Sequence, residues 1–351
     1  MNSSNASSSD IDLRRGSVSF SGLIGIALAS FLAIIGPIEI APFIGYAGPA
    51  AIWPVILGAL LFIVITLPIL EYSRLVTFAG GYYGLAELGY GKAAGKFTAF
   101  TNFLYTIPWA ASPGPFVAWL FLDSVFYVFH TLLPMWIWFV LSILTLLGMY
   151  AVSIIRSDKF GKIILYVSLT GFAIVLIFSL FVIAKSPYNS VYYLNPLNSS
   201  SGFGGIALAT AVVGFYLFTG YGTGLLFSEE AKEGRKTVYK SIYVGLAAGA
   251  ALIAISAYSE VIAVPLSSLP SVASSALPQV ASWSPYFSAI GVFIFNMLII
   301  VLSIASLGTV FAYSGRLIWA QSRDGFFKSK WLRELNPKTG TPRHASLFSL
   351  I

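Results

Sequence analysis

The chain has 351 residues, 57% of them hydrophobic and 9% charged, with a formal net charge of +7 and a mean hydropathy of +0.84. A soluble domain carries about 25% charged residues, so this composition describes an integral membrane protein. The absence of cysteine excludes disulfides and thiolate chemistry, and His130 and His344 are too few and too far apart for a histidine metal cluster. Basic residues fall in small groups between apolar spans, a pattern of membrane topology rather than of nucleic-acid binding.

Residues 1–17 are rich in Ser and Asn, end in Arg14-Arg15, and predict a disordered tail. The apolar span that follows lacks a small-residue cleavage site and a polar mature domain behind it, so it is not a signal peptide. A span needs about 20 apolar residues. That ruler predicts eight complete spans, at roughly 18–46, 50–73, 96–122, 134–155, 160–184, 203–228, 239–263 and 286–314, and residues 345–351 look like the opening of a ninth. With the N-terminus in the cytoplasm, every Lys and Arg except Lys185 falls on an inner segment. The inner loop 74–95 holds an apolar stretch, Phe78–Gly84, that can dip into the membrane without crossing it. The basic inner segment 315–342 predicts a short amphipathic helix around Phe326–Leu335. Four prolines in 264–285 predict short helical turns over the outer mouth.

Two spans carry internal breaks. Gly36-Pro37 predicts a break at Gly36 and a second half-helix beginning at Pro37, because proline cannot continue a helix ladder but suits the first position of a new one. Span six runs into Gly220, Gly222 and Gly224. Glycines here either let another helix approach closely or open a broken helix around a substrate site. The two interrupted spans lie five apart, so five spans per repeat make them run in opposite directions, as an inverted repeat requires. This divides the chain into a first five-span repeat at 18–184 and an incomplete second repeat at 185–351.

The loop after span six, Glu229-Glu-Ala-Lys-Glu-Gly-Arg-Lys, together with Glu71 and Ala79-Gly-Gly-Tyr-Tyr83, resembles segments of the amino acid–polyamine–organocation permeases. So do Ser314-Gly-Arg316, Trp319-Ala320, Arg323-Asp-Gly325 and Asn336-Pro-Lys-Thr-Gly-Thr-Pro342 at the end of span eight. The chain departs from the family where the Gly-Ser-Gly break of span one becomes Gly36-Pro37-Ile38-Glu39, and where the acidic residue of span six is missing. The resemblance implies an all-α membrane protein with an inverted five-plus-five repeat, present here through span eight and the start of span nine. It also implies a fragment of a longer permease that does not transport alone. The implied function is secondary active transport of amino acids or related amines across the cell membrane by alternating access, as ion-coupled symport or exchange. The alternative is a channel or a non-transporting membrane protein. An enzyme would need a cluster of ionisable groups within the spans, and the spans hold almost none.

Free N–H groups and the dipole at a half-helix receive a carboxylate, and freed carbonyls receive an ammonium or a sodium ion. The candidate substrate site is therefore the backbone around Ile35, Gly36 and Pro37 and around Thr219, Gly220 and Gly222. Tyr216 or Phe218 serves as an aromatic gate, with plain packing as the equal alternative; Trp109, beside Pro108, Pro113 and Pro115, either lines the cavity through a kink or simply packs. Glu39, at the third position of the second half-helix, either caps that half or places negative charge beside the ligand. The resemblance points to a coupling sodium held by Ser303, Ser306 and Thr309. Ser168 stands where proton-coupled relatives carry a lysine, which leans towards sodium; the bland reading is that these hydroxyls bond to nearby backbone. Asp123 and Glu260 read as hydrated vestibule residues. No cofactor beyond a coupling sodium ion or proton is expected, and the partners are the small substrate and the lipid bilayer.

Overall fold

The computed structural model describes residues 13–30, 34–75 and 80–350, so the expectations for Phe78 and Ala79 fall outside it. Backbone amides in hydrocarbon must be satisfied within their own segment, and the chain accordingly folds as helices. Among the described residues the only strand-like pairing is one isolated bridge between Val18 and Ala231.

Span one consists of α1 (Phe20–Ser30), a 3-10 turn over Gly36–Glu39 and α2 (Ala41–Ala47). The break is wider than the sequence predicts. Pro37 and Pro42 each open a short helix, because neither can donate to the turn before it, and α-geometry resumes only at Ala41. Span two is α3 (Ile52–Leu75), and the loop after it holds α4 (Tyr82–Tyr90), entered through Gly81 at φ 54°. Span three is two helices, α5 (Lys92–Ala111) and α6 (Pro113–Phe129), meeting at Ser112. Spans four and five are α7 (Met135–Ser153) and α8 (Ser157–Lys185). Span six runs through α9 (Gly202–Ala209), a π-helical turn at Thr210–Gly214, a 3-10 segment at Tyr216–Gly222 and α10 (Thr223–Leu226). Span seven is α11 (Gly234–Val261). A short α12 (Leu269–Ala273) precedes α13 (Pro278–Arg323), and α14 (Lys330–Arg333) and α15 (Arg343–Phe348) follow. By length and composition 7 of the described helical segments can cross a membrane; span one is not among them because its break leaves α1 only 11 residues.

Three sequence expectations change. Span eight outlasts its apolar stretch on both sides: α13 begins at Pro278, breaks at Ser288 (φ 60°, ψ 164°) and continues to Arg323. Its last three turns stay helical although polar, because Ser314, Arg316 and Gln321 are buried inside the protein and find partners there. The amphipathic helix expected at Phe326–Leu335 shrinks to the single turn of α14, held by Ser329 accepting from the Leu332 amide. Residues 13–17 are packed rather than tail-like: Leu13 is buried, and Arg14 Nη2 donates to the Lys338 carbonyl at 2.8 Å.

The N-terminal bridge to Ala231 and the Arg14–Lys338 bond mark one face of the molecule, called here the near face. The Ser200 amide, which donates to the Ala47 carbonyl at 3.3 Å, marks the far face. Span one thus runs from near to far, and span six runs back beside it in the opposite direction. α1 packs on α8 and α11, and a Cβ added at Gly25 would press on the Leu165 backbone. Small residues allow this approach, which drives helix association where lipid is as apolar as the helix surfaces.

Candidate substrate site at the paired breaks

The two broken spans touch where α1 stops. A Cβ at Gly220 would collide with the Ser30 carbonyl oxygen, so only glycine fits against the end of α1. A Cβ at Gly222 would collide with the Tyr82 hydroxyl, which α4 delivers from the near-face loop. Between these contacts lies a cavity of about 240 Å³. Its floor is Thr219, Gly220, Gly222 and Thr223 of span six. Its walls are Phe62 of α3, Tyr82 of α4, and Asn102, Tyr105 and Trp109, which follow the helical repeat along α5. Tyr313 of α13 closes the far wall.

Trp109 meets Tyr313 edge-on with ring centroids 5.1 Å apart and stacks on Tyr105 at 5.6 Å. Thr219 and Thr223 donate their hydroxyls back to the Tyr216 and Gly220 carbonyls, leaving oxygen lone pairs to accept from a ligand. Asn102 Nδ2 is buried and has no hydrogen-bond partner among the described residues. No lining residue is formally charged. Such a chamber can surround an ammonium or an apolar side chain with ring faces and donate from Asn102 to a carboxylate.

Of the residues singled out from sequence, Trp109, Thr219, Gly220 and Gly222 line this cavity. Ile35, Gly36 and Pro37 do not; they are buried, with Gly36 facing Ile253 of α11. Phe218 is fully buried beneath the cavity, its ring 6.0 Å from Phe62. Tyr216 is half-exposed and lies within electrostatic reach of Tyr105 and Glu39. Glu39 sits half-buried in the 3-10 turn without lining the cavity. The sequence reading missed Phe62, Tyr82, Asn102, Tyr105, Thr223 and Tyr313. Asn102 had a usable signal, as an amide in an otherwise apolar span, and Tyr105 and Trp109 share its face at helical spacing.

Ser303, Ser306 and Thr309 are all buried on α13. Thr309 donates to the Ser306 carbonyl at 2.6 Å, whereas the Ser303 and Ser306 hydroxyls have no partner among the described residues. Ser168 on α8 donates to the Gly25 carbonyl of α1 at 3.3 Å, which is the backbone-bonding reading. Asp123 is half-buried. Glu260 is not a hydrated vestibule residue: it is fully buried, because the segment after α11 folds back over the end of that helix.

Just below the cavity, one turn beyond Tyr313, Arg316 pairs with Glu230, both buried. Arg323 pairs with Glu229 at 3.3 Å, and Tyr83 donates to Asp324 at 2.7 Å. The separated acidic and basic motifs of the sequence thus meet in one network that closes the near-face end of the site. The Asn336–Pro342 motif folds on itself, with the Asn336 amide donating to the Thr341 carbonyl, and docks through the Thr341 hydroxyl on the Ile154 carbonyl.

Residues 17–351 match the family described as Amino acid permease. No curated protein matched the chain. That family transports amino acids or related compounds, and its members are transporters rather than enzymes. With the match spanning all but the first residues, and with membrane-length helices around two interrupted spans, this chain belongs to the amino acid permease family.

Proposed function

We propose that this permease is a secondary active transporter carrying amino acids or related amines across the cell membrane by alternating access, in ion-coupled symport or exchange, with its N-terminus in the cytoplasm. The observation that carries the reading is the cavity at the paired breaks. Drug-sized ligands occupy about 300–1,000 Å³, so a cavity of about 240 Å³ suits a small ligand. A zwitterion fits its chemistry: Asn102 donates to the carboxylate, while the Thr219 and Thr223 oxygens and the aromatic walls take the ammonium. The antiparallel course of spans one and six is what an inverted repeat requires. The buried network of Glu230 and Arg316 seals the near face, and alternating access requires it to part.

For coupling, Ser303 and Ser306 are the favoured sodium ligands, since both hydroxyls are buried and unpartnered. Thr309 and Ser168 support the same face through their backbone bonds. A thermal-shift screen of amino acids and polyamines, with and without sodium, tests this reading. Stabilisation by a subset of amino acids, increased by sodium, is expected. No stabilisation by any amino acid or amine, in either salt, overturns it.

A further inference from the structure

Glu260 stands in the last turn of α11, fully buried, and neither carboxylate oxygen has a hydrogen-bond partner among the described residues. Ser256, one turn earlier, lies beside the carboxyl without reaching hydrogen-bond geometry, and its own hydroxyl is unpartnered. The elements packed on α11 offer no countercharge. Glu39 in the 3-10 turn has the same sign, and Lys185 is exposed at the end of α8. The other charges of α3 (Glu71, Arg74), α8 (Asp158, Lys159, Lys162), α13 (Arg316, Arg323) and α11 itself (Arg235, Lys236, Lys240) lie at the near-face ends of those helices. Tyr258 donates to Asn189 Oδ1 and Tyr286 to the Ala263 carbonyl. A bare carboxylate in a protein interior is strongly unfavourable, and the described residues supply no charge to neutralise this one.

The covering segment carries a hinge. After α12 the chain returns as an arm, Pro278–Phe287, before the break at Ser288. The φ 60°, ψ 164° of Ser288 belongs to a region nearly reserved for glycine, and such strain clusters at switch regions. The Tyr286–Ala263 bond, 2.9 Å, ties the arm to the end of α11. Gln279 Nε2 donates to Asn296 Oδ1 at 3.0 Å, and Asn296 Nδ2 donates to Ser124 at 2.9 Å, which fastens the arm to α6.

We propose that Glu260 is a cation-binding site, its carboxylate neutralised beneath the closed arm by one positive charge from the far-face solution, a proton or an alkali-metal ion, and that the arm pivoting at Ser288 admits and releases that charge. The proposal rests on the transporter reading above. It is tested with the whole permease in proteoliposomes by comparing gradient-driven accumulation with gradient-free counterflow. One arm of the experiment imposes a pH gradient in choline buffer free of alkali ions; the other imposes a sodium gradient at equal pH. The arm that drives the wild type identifies the cation. In Glu260→Gln the neutral amide stands permanently for the loaded site, so the excess of accumulation over counterflow is lost in that arm. Glu260→Gln keeping the wild-type excess overturns the proposal, as does a wild type with counterflow but no accumulation in either arm. A wild type without counterflow refutes the transporter reading itself. Should Glu260→Gln fail to fold, labelling of wild-type Glu260 by a hydrophobic carbodiimide decides. Labelling falls with rising pH if the cation is a proton, or with added sodium if it is an alkali ion, and indifference to both overturns the proposal.

Discussion

Replacing Arg316 by methionine removes one half of the most deeply buried ion pair described in the protein. Arg316 is 1% exposed and Glu230 0%. Its Nε and Nη2 donate to the two carboxylate oxygens, Nη2 also reaches the Ser157 hydroxyl at 3.1 Å, and Nη1 donates to the Ala312 carbonyl at 3.1 Å. The Phe227 ring lies 3.8 Å from the guanidinium carbon. Methionine restores the stem packing but none of these bonds, so Glu230 is left buried and unpaired, a loss of about 3–5 kcal/mol. In the double variant Glu230→Leu/Arg316→Met no charge is stranded, and most of that loss returns, since apolar replacement of a buried pair is often neutral or better. Arg156→Ala is the control: its partner Asp158 is at the surface, where pairing contributes little. Denaturant unfolding in detergent micelles ranks the three. An Arg316→Met variant no less stable than Arg156→Ala, or a double variant as unstable as the single one, refutes the reasoning.

Gly220→Ala drives a methyl into the Ser30 carbonyl, and the backbone shift it forces costs about 1–3 kcal/mol; thermal unfolding and loss of substrate-induced stabilisation both report it. Ser306→Ala removes a buried hydroxyl that no described residue satisfies, so stability without sodium is unchanged or higher. Sodium at a hundred times its dissociation constant stabilises the wild type by about 2.7 kcal/mol, and thermal shift shows that gain lost in Ser306→Ala if the hydroxyl is a ligand. The chain has no cysteine, so single introduced thiols report sidedness cleanly. In intact cells an impermeant maleimide labels Ser190→Cys, while Lys338→Cys reacts only after permeabilisation; the reverse pattern overturns the N-inside orientation.

The membrane spans were legible because lipid leaves the backbone so few choices that hydropathy and length nearly suffice. Both interruptions were legible as well, since proline and glycine mark them chemically. Their extent was not. The two spans meet at Ser30, where Gly220 of span six lies against the Ser30 carbonyl, and no residue of α1 announces that contact. The aromatic walls escaped for a related reason. Spans three and eight are apolar nearly all round, so periodicity does not say which of their tyrosines and tryptophans turn inward; the packing of α5 on α13 decides. Glu260 looked hydrated because it falls at the end of an apolar run, and only the fold of the following arm buries it. The near-face network shows the opposite case: Glu230 and Arg316 were both conspicuous in sequence, but a separation of 86 residues hid that they are partners.

The central claim is that the cavity at the paired breaks is the substrate site of a carrier. Counterflow tests it most directly: proteoliposomes of the whole permease, loaded with unlabelled amino acid and diluted into the same compound, radiolabelled, should show saturable transient accumulation. Asn102→Leu, which removes a donor unpartnered among the described residues while leaving the fold, should raise the half-saturating concentration at least about tenfold, since one lost hydrogen bond to a charged group is worth about 1.5–3 kcal/mol. Non-saturating entry with no trans-stimulation, or saturable counterflow indifferent to Asn102→Leu and to Trp109→Ala alike, would contradict the account.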